Sequence, residues 1–240
     1  LVLTRFSWSP TRIARIGRMT PKTIARIAAV AVPSFAISTA FGFAVASLGD
    51  GGLDHDRDGL VQTMIIGDSL AASFFATTEQ EGFAYLVQDE IGPVEVSTTT
   101  RAHQTLSTVA GVTEVPAEVE VAIIELGTND VGMETPIHSF DAQYAALTRD
   151  IRAKSPDARI VCIGTWTGWG DPYDQAIEDE CLAVGGDYVD MAPLFVDPVN
   201  RGPVGRPTFV GAGDDFHPND TGHRAVADAV LAVLLSRDGD

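Results

Sequence analysis

From residue 60 onward the chain alternates between two periodicities, and that alternation leaves few folds open. Strand-length apolar or β-branched runs occur at 61–66 (VQTMII), 93–98 (PVEVST), 119–126 (VEVAIIEL), 159–164 (RIVCIG) and 187–191 (DYVDM), each bounded by Gly, Pro or polar residues. Between them the apolar residues step by three and four. Phe140, Tyr144, Leu147 and Ile151 fall on one face of a helix, and Val226, Val230, Val233 and Leu234 on one face of a last helix starting near Thr221. Thr78 and Glu81 have the spacing of a capping box ahead of Phe83, Leu86 and Val87. Strands that alternate with helices imply an α/β fold with a five-stranded, mostly parallel sheet covered on both faces. In such sheets the site sits beyond the carboxyl ends of the strands. At 240 residues, 45% apolar and 20% charged, the chain can build one such core without disulfide or metal staples. We see no internal repeat and no second domain boundary within it.

The residues ahead of this pattern read as an address. Positions 27–48 carry no charge, and six bases (Arg5, Arg12, Arg15, Arg18, Lys22 and Arg26) precede them on one side only. A secretory signal has an apolar stretch of about 7–15 residues and a small-x-small cleavage site, which Ala44-Val45-Ala46 supplies. About 20 apolar residues span a bilayer, so a retained membrane anchor is the alternative. Either places the chain beyond residue 48 outside the cytoplasm. The expected organisation is thus 1–48 signal or anchor, 49–59 acidic Gly-rich linker, and 60–237 the domain. Within the linker, Asp54, Asp56, Asp58 and Gly59 match the first half of an EF-hand loop, but its twelfth position is Ile65 where a bidentate acid is needed. We read a solvated tether and expect no metal site. Formal charge adds an exclusion. The whole chain carries −17, and residues 47–240 hold 10 bases against 33 acids, a net −23 that repels phosphate backbones and argues against nucleic-acid partners.

Three strand ends or loops carry candidate chemistry. The first strand runs into Gly67-Asp68-Ser69-Leu70, which puts the Ser69 hydroxyl at the sheet's carboxyl edge; as a bare tetrapeptide it reads equally well as a turn. The third strand runs into Gly127-Thr128-Asn129-Asp130, where the Asn129 amide can donate to an oxygen that becomes negative during acyl transfer. Just before the last helix stands Asp214-Asp215-Phe216-His217-Pro218-Asn219. A hydroxyl attacks well only when a base takes its proton, and the base needs a third group to fix its tautomer. Asp214, three residues before His217, can do so within one turn; Asp215 flanks it less favourably. The remaining histidines, His55, His103, His138 and His223, read as surface residues.

Jointly, the GDSL, GTND and DDFHPND segments resemble the signature blocks of the SGNH, or GDSL, hydrolase family, in order and spacing over residues 61–236. The resemblance implies a flavodoxin-like three-layer fold and a serine esterase or lipase that uses no cofactor. It also implies Ser69 as nucleophile, His217 as general base, Asp214 as its orienter, and Asn129 with the Ser69 N–H as oxyanion donors, with Gly127 and Asp68 shaping the site. One block departs. The family has a Gly after the second strand whose N–H is a third donor, and Ala102 is the matching position here. An Ala offers the same N–H, but is strained if the position demands φ > 0.

The residues around these blocks suggest what is bound. Trp166, Trp169 and Tyr173, in and after a Gly-punctuated loop that follows the fourth strand, read as a substrate wall, with core packing as the rival. Arg201 and Arg206 lie in the Gly/Pro-rich stretch 194–213, as anion anchors or as solvated surface residues. Cys162 and Cys181, on a strand and the next helix, form either a disulfide or two buried thiols. The resulting expectation is an exported ester hydrolase acting on a lipid, acetylated-sugar or small-molecule ester. The rivals are a catalytically silent binding module on the same fold and an acyltransferase that uses the same residues.

Overall fold

A computed structural model describes residues 52–236 of the protein. The signal or anchor at 1–48, the linker positions 49–51 and residue 237 lie outside the described residues. Among the described residues, no helix is long and apolar enough to cross a membrane. The elements run β1 (Val61–Gly67), α1 (Phe83–Ile91), β2 (Val94–Thr100), α2 (Leu106–Ala110), β3 (Val121–Glu125), α3 (Thr128–Gly132), α4 (Ile137–Lys154), β4 (Arg159–Ile163), α5 (Asp171–Ala183), β5 (Asp187–Val189), α6 (Ala192–Val196), β6 (Pro207–Thr208), β7 (Gly211–Ala212) and α7 (Asp220–Leu235).

The five main strands are all parallel, in the order β2-β1-β3-β4-β5. Each of the five expected strand runs forms one of them. The centre of the sheet, β1 and β3, is where side chains are buried on both faces, hence the uninterrupted apolar runs. Successive residues then serve opposite layers. Ile65, Ile123 and Val161 pack with α1 and α7 residues such as Phe83, Val87, Val226 and Val230. Met64, Ile66, Ile124 and Cys162 pack with Phe140, Tyr144, Leu147 and Ile151 of α4 and Ile177 of α5. The three-layer α/β architecture expected from the sequence is therefore present. The chain steps from β1 to β2 on one side and then crosses to β3 on the other, so the order reverses between β1 and β3. That reversal opens a crevice at their carboxyl ends.

Three local expectations change. Thr78 caps only a short 3-10 turn, Glu79–Glu81, with no side-chain bond, and α1 starts afresh after Gly82; the capping box does not form, because the turn ends before the helix begins. The 194–213 stretch is not bare loop. It contains α6 and the antiparallel pair β6–β7. Of the two states left open for the cysteines, the structure takes the bonded one, Cys162–Cys181, tying β4 to α5.

Candidate active site

Gly67 and Gly127 allow the two central strands to end in tight turns. A Cβ on Gly67 would come within 2.3 Å of the Ala71 Cβ and 2.9 Å of a Glu125 carboxylate oxygen. Gly127 has φ +127°, and a Cβ there would press on Thr165, Ile177 and Phe140. Beyond Gly67 the chain turns at once, with the N–H of Phe74 donating to the Ser69 carbonyl. Ser69, only 3% exposed, is thereby held at the crevice.

His217 arrives from the segment before α7. Its Nε2 lies 3.5 Å from Ser69 Oγ, and its Nδ1 lies 2.7 Å from Asp214 Oδ2. The other Asp214 oxygen accepts the backbone N–H groups of Phe216 (3.0 Å) and His217 (2.8 Å), which fixes the carboxylate in a tight turn. Three distant segments thus form one line from hydroxyl to imidazole to carboxylate. Burial pulls the His217 imidazole below its ordinary value, against the hydrogen bond and charge of Asp214. Burial works against the Asp214 anion too, but hydrogen bonds from the backbone and ring of His217 outweigh it and hold the carboxyl below its usual range. A largely neutral imidazole beside an ionised orienter is the state that accepts a hydroxyl proton.

Two segments that carry expected oxyanion donors touch the nucleophile turn. Asn129, in the first turn of α3, donates through Nδ2 to Asp68 Oδ2 at 2.7 Å, leaving its second amide hydrogen for another acceptor. The loop after β2 crosses the end of β1, since the Arg101 N–H donates to the Gly67 carbonyl at 3.1 Å. Ala102 sits in that loop without positive φ; the left-handed residue is His103, φ +59°. The strain anticipated at Ala102 is therefore absent.

The aromatic wall needs correction. Trp166 is 0% exposed, its Nε1–H donates to the Phe216 carbonyl at 2.8 Å, and it braces the segment bearing His217 from beneath. Tyr173 is 9% exposed with its hydroxyl on the Thr135 carbonyl. The loop after β4 folds the Trp166 ring inward and the first turn of α5 does the same for Tyr173, so neither is a surface for substrate. Trp169 remains 63% exposed, edge-on to Phe195. Arg201 and Arg206 are half-buried and engaged: Arg201 donates to the Asp215 carbonyl and lies over the Phe195 ring, and Arg206 donates to the Gly202 and Pro218 carbonyls. His223 is likewise not a surface residue but fully buried, bonded to Phe83 N–H and to the Phe74 carbonyl.

Several site residues escaped sequence reasoning. Phe75 stacks on His217 with centroids 4.0 Å apart and 19° between planes, its backbone at φ +68°, a rare conformation for a bulky residue. Phe216 meets the same imidazole edge-on at 5.2 Å, and His103 lies at 6.5 Å. Glu125, the last residue of β3, is buried beneath the Ser69 turn. A groove of about 360 Å³, lined among others by Ala71, Phe74, Tyr85, Val96 and Phe209, runs along that turn. Among the described residues, Asp54, Asp56 and Glu120 bring carboxylate oxygens together near the start of β3, at the other end of that strand from Ser69. Glu120 there accepts the N–H groups of His55, Asp56 and Gln62, tying the linker to the sheet.

A hydroxyl, an imidazole and a carboxylate aligned at the carboxyl edge of a parallel α/β sheet agree with the family that the sequence blocks resemble. A family model described as the GDSL-like Lipase/Acylhydrolase family matches residues 65–225, and the chain belongs to that family. A cellulase/esterase, CelE, from Acetivibrio thermocellus is 27% identical over 128 residues, covering 50% of this chain but 14% of that protein. The chain therefore spans only a small part of that curated relative. Two solved structures share the fold. Phospholipase A1 from Streptomyces albidoflavus NA297 has a TM-score of 0.57 at 17% identity, over 74% of this chain and 99% of that one. A carbohydrate esterase family 2 enzyme with its carbohydrate-binding domain, from Corynascus thermopiles (Myceliophthora fergusii), has a TM-score of 0.55 at 17% identity, over 73% and 66%.

Proposed function

We propose that the domain hydrolyses carboxylic esters through an acyl-enzyme on Ser69. The observation that carries this reading is the continuous hydrogen-bonding line Ser69 Oγ, His217 Nε2, His217 Nδ1, Asp214 Oδ2, at 3.5 and 2.7 Å. Ser69 Oγ attacks the ester carbonyl carbon while His217 Nε2 takes its proton, and Asp214 stabilises the imidazolium. The carbonyl oxygen, now negative, accepts from the Asn129 amide and the Ser69 N–H, with the Ala102 N–H as third donor. When the intermediate collapses, the alcohol leaves with the proton from His217. Water, deprotonated by the same imidazole, then attacks the acyl carbon and releases the acid.

The relatives are named for esterase, phospholipase and carbohydrate-esterase activities, and attack at an ester carbonyl is what these share. The groove beside Ala71 and Phe74 offers room for an acyl chain. Export is part of the proposal: the one-sided bases before an uncharged segment support it, and so does a disulfide that suits an oxidising compartment.

A fluorophosphonate probe tests the chemistry. Wild type is labelled on Ser69 and hydrolyses at least one p-nitrophenyl ester between acetate and palmitate, and Ser69→Ala does neither. A folded wild type that is neither labelled nor active on the series would leave a silent binding module as the better reading. The chain-length profile of the same series narrows the acyl part. For export, fractionation of cells that express the full chain should find it outside the cytoplasm, and a chain lacking residues 1–48 inside.

A further inference from the structure

Ester hydrolysis as written above leaves one buried acid unused. Glu125 ends β3 directly beneath the nucleophile turn. Its Oε2 accepts the N–H of Asp68 at 3.1 Å and of Ala71 at 3.2 Å, so it grips the turn on both sides of Ser69. The residue it grips gathers the rest of the site. Asp68 accepts Ser69 Oγ at 3.3 Å and Leu70 N–H at 3.1 Å on one oxygen, and the Asn129 amide at 2.7 Å on the other. The Asp68 charge acts on the Glu125 carboxyl. Both are fully buried, and Tyr144 of α4 stands near Glu125 with a buried hydroxyl that has no partner. Two buried carboxyls whose charges act on each other resist ionising together. Burial pushes Asp68 up to about 6, and burial together with the Asp68 charge pushes Glu125 well above its ordinary value.

We propose that Glu125 is a positioning residue for the reaction: its side chain, holding the Asp68 and Ala71 N–H groups, sets where the Ser69 hydroxyl and the Asn129 amide stand relative to each other. Glu125 touches neither substrate nor the reacting atoms. It acts through two backbone N–H groups and one side chain. The inference rests on the hydrolase reading for its catalytic consequence, but the clamp itself is a structural statement that is read separately.

Two conservative variants separate reach from charge. Glu125→Gln keeps the length and one oxygen for the two N–H groups. Glu125→Asp keeps the acid and draws the carboxyl back by about 1.5 Å. If Glu125 positions the turn, Glu125→Gln retains kcat close to wild type, whereas Glu125→Asp loses on the order of 10²-fold in kcat with KM little changed. The reverse ranking, or wild-type kcat in both variants, overturns the inference. The ¹⁵N-labelled protein supplies a readout that needs no turnover. The Asn129 side-chain amide and the Asp68 and Ala71 backbone amides should hold their positions in Glu125→Gln and move in Glu125→Asp; unmoved signals in both variants refute the clamp. Should wild type hydrolyse no ester and escape the fluorophosphonate, the hydrolase reading fails and these amide signals alone decide the role of Glu125.

Discussion

His217 shows how one side chain is tuned by opposing effects of similar size. Burial disfavours the imidazolium, Asp214 favours it, and the balance falls below the ordinary value of 6.5. The base works only when neutral, so kcat/KM should rise with pH and level off, with a half-maximal point below pH 6.5 in a pH–rate profile. In Asp214→Asn the imidazole loses the group that raised it, so the limb should move to lower pH. The plateau should also fall, by about 10³–10⁴-fold, because the tautomer is no longer fixed. A limb at unchanged pH would mean that Asp214 does not sense the imidazole. The sequence blocks place Ser69 and Asn129 just past a central strand and Asp214 and His217 just before α7, and the structure brings these four positions to one edge of the sheet. Phe75 and Glu125 were not legible in the sequence. Stacking on His217 requires knowing what crosses residue 75, and Glu125 is embedded in the run VEVAIIEL, where a terminal acid looks like the edge of the strand rather than part of the site.

Helices and strands were legible to within a few residues wherever burial was uniform. The run at 119–126 narrows to Val121–Glu125, and the stripe Phe140, Tyr144, Leu147, Ile151 is buried in full. Loops were not, since their rings point according to partners far away in sequence; Trp166 faces Phe216 rather than the crevice. α7 carries a further consequence. Its His223 is fully buried and pushed down to about 4, by burial first, so the unfolded chain binds a proton that the folded chain refuses. The stability due to this ring is complete above about pH 6.5 and is lost as pH falls toward about 4, on the order of 3 kcal/mol in all. Asp68 and Glu125 act in the opposite sense over the same range, so wild type alone does not isolate the ring. Against His223→Asn, which gives up packing and hydrogen bonds and should be less stable at pH 7 by about 1–3 kcal/mol, the gap in urea midpoints should shrink as pH falls. A gap that widens would contradict the assignment.

At the scale of the molecule, a parallel sheet between two helical layers is stabilised mainly by its two apolar cores, and the Cys162–Cys181 bond adds a covalent tie between layers. The cysteines are 19 apart in sequence, and a loop of that size contributes about 3 kcal/mol by restricting the unfolded chain. Replacing both by Ala should lower the denaturation midpoint accordingly while leaving fluorophosphonate labelling of Ser69 intact, because the bond lies in the α5 layer, away from the turn. The sequence could not choose between bond and thiols, since the choice depends on how α5 is set against β4. The segment that delivers the base is secured differently. Asn219 Nδ2 lies within 3.0 Å of the carbonyl oxygens of Val199, Arg201 and Gly202, and Asn219 also caps α7 by accepting the Gly222 N–H. Holding the turn from behind leaves the tip at Phe209 and Val210 outside that anchor and exposed, with the Phe209 N–H on the Ala76 carbonyl and its ring edge-on to Phe74. If the domain hydrolyses esters as proposed, replacing Phe209 should change which acyl groups the groove accepts and leave the proton path in place.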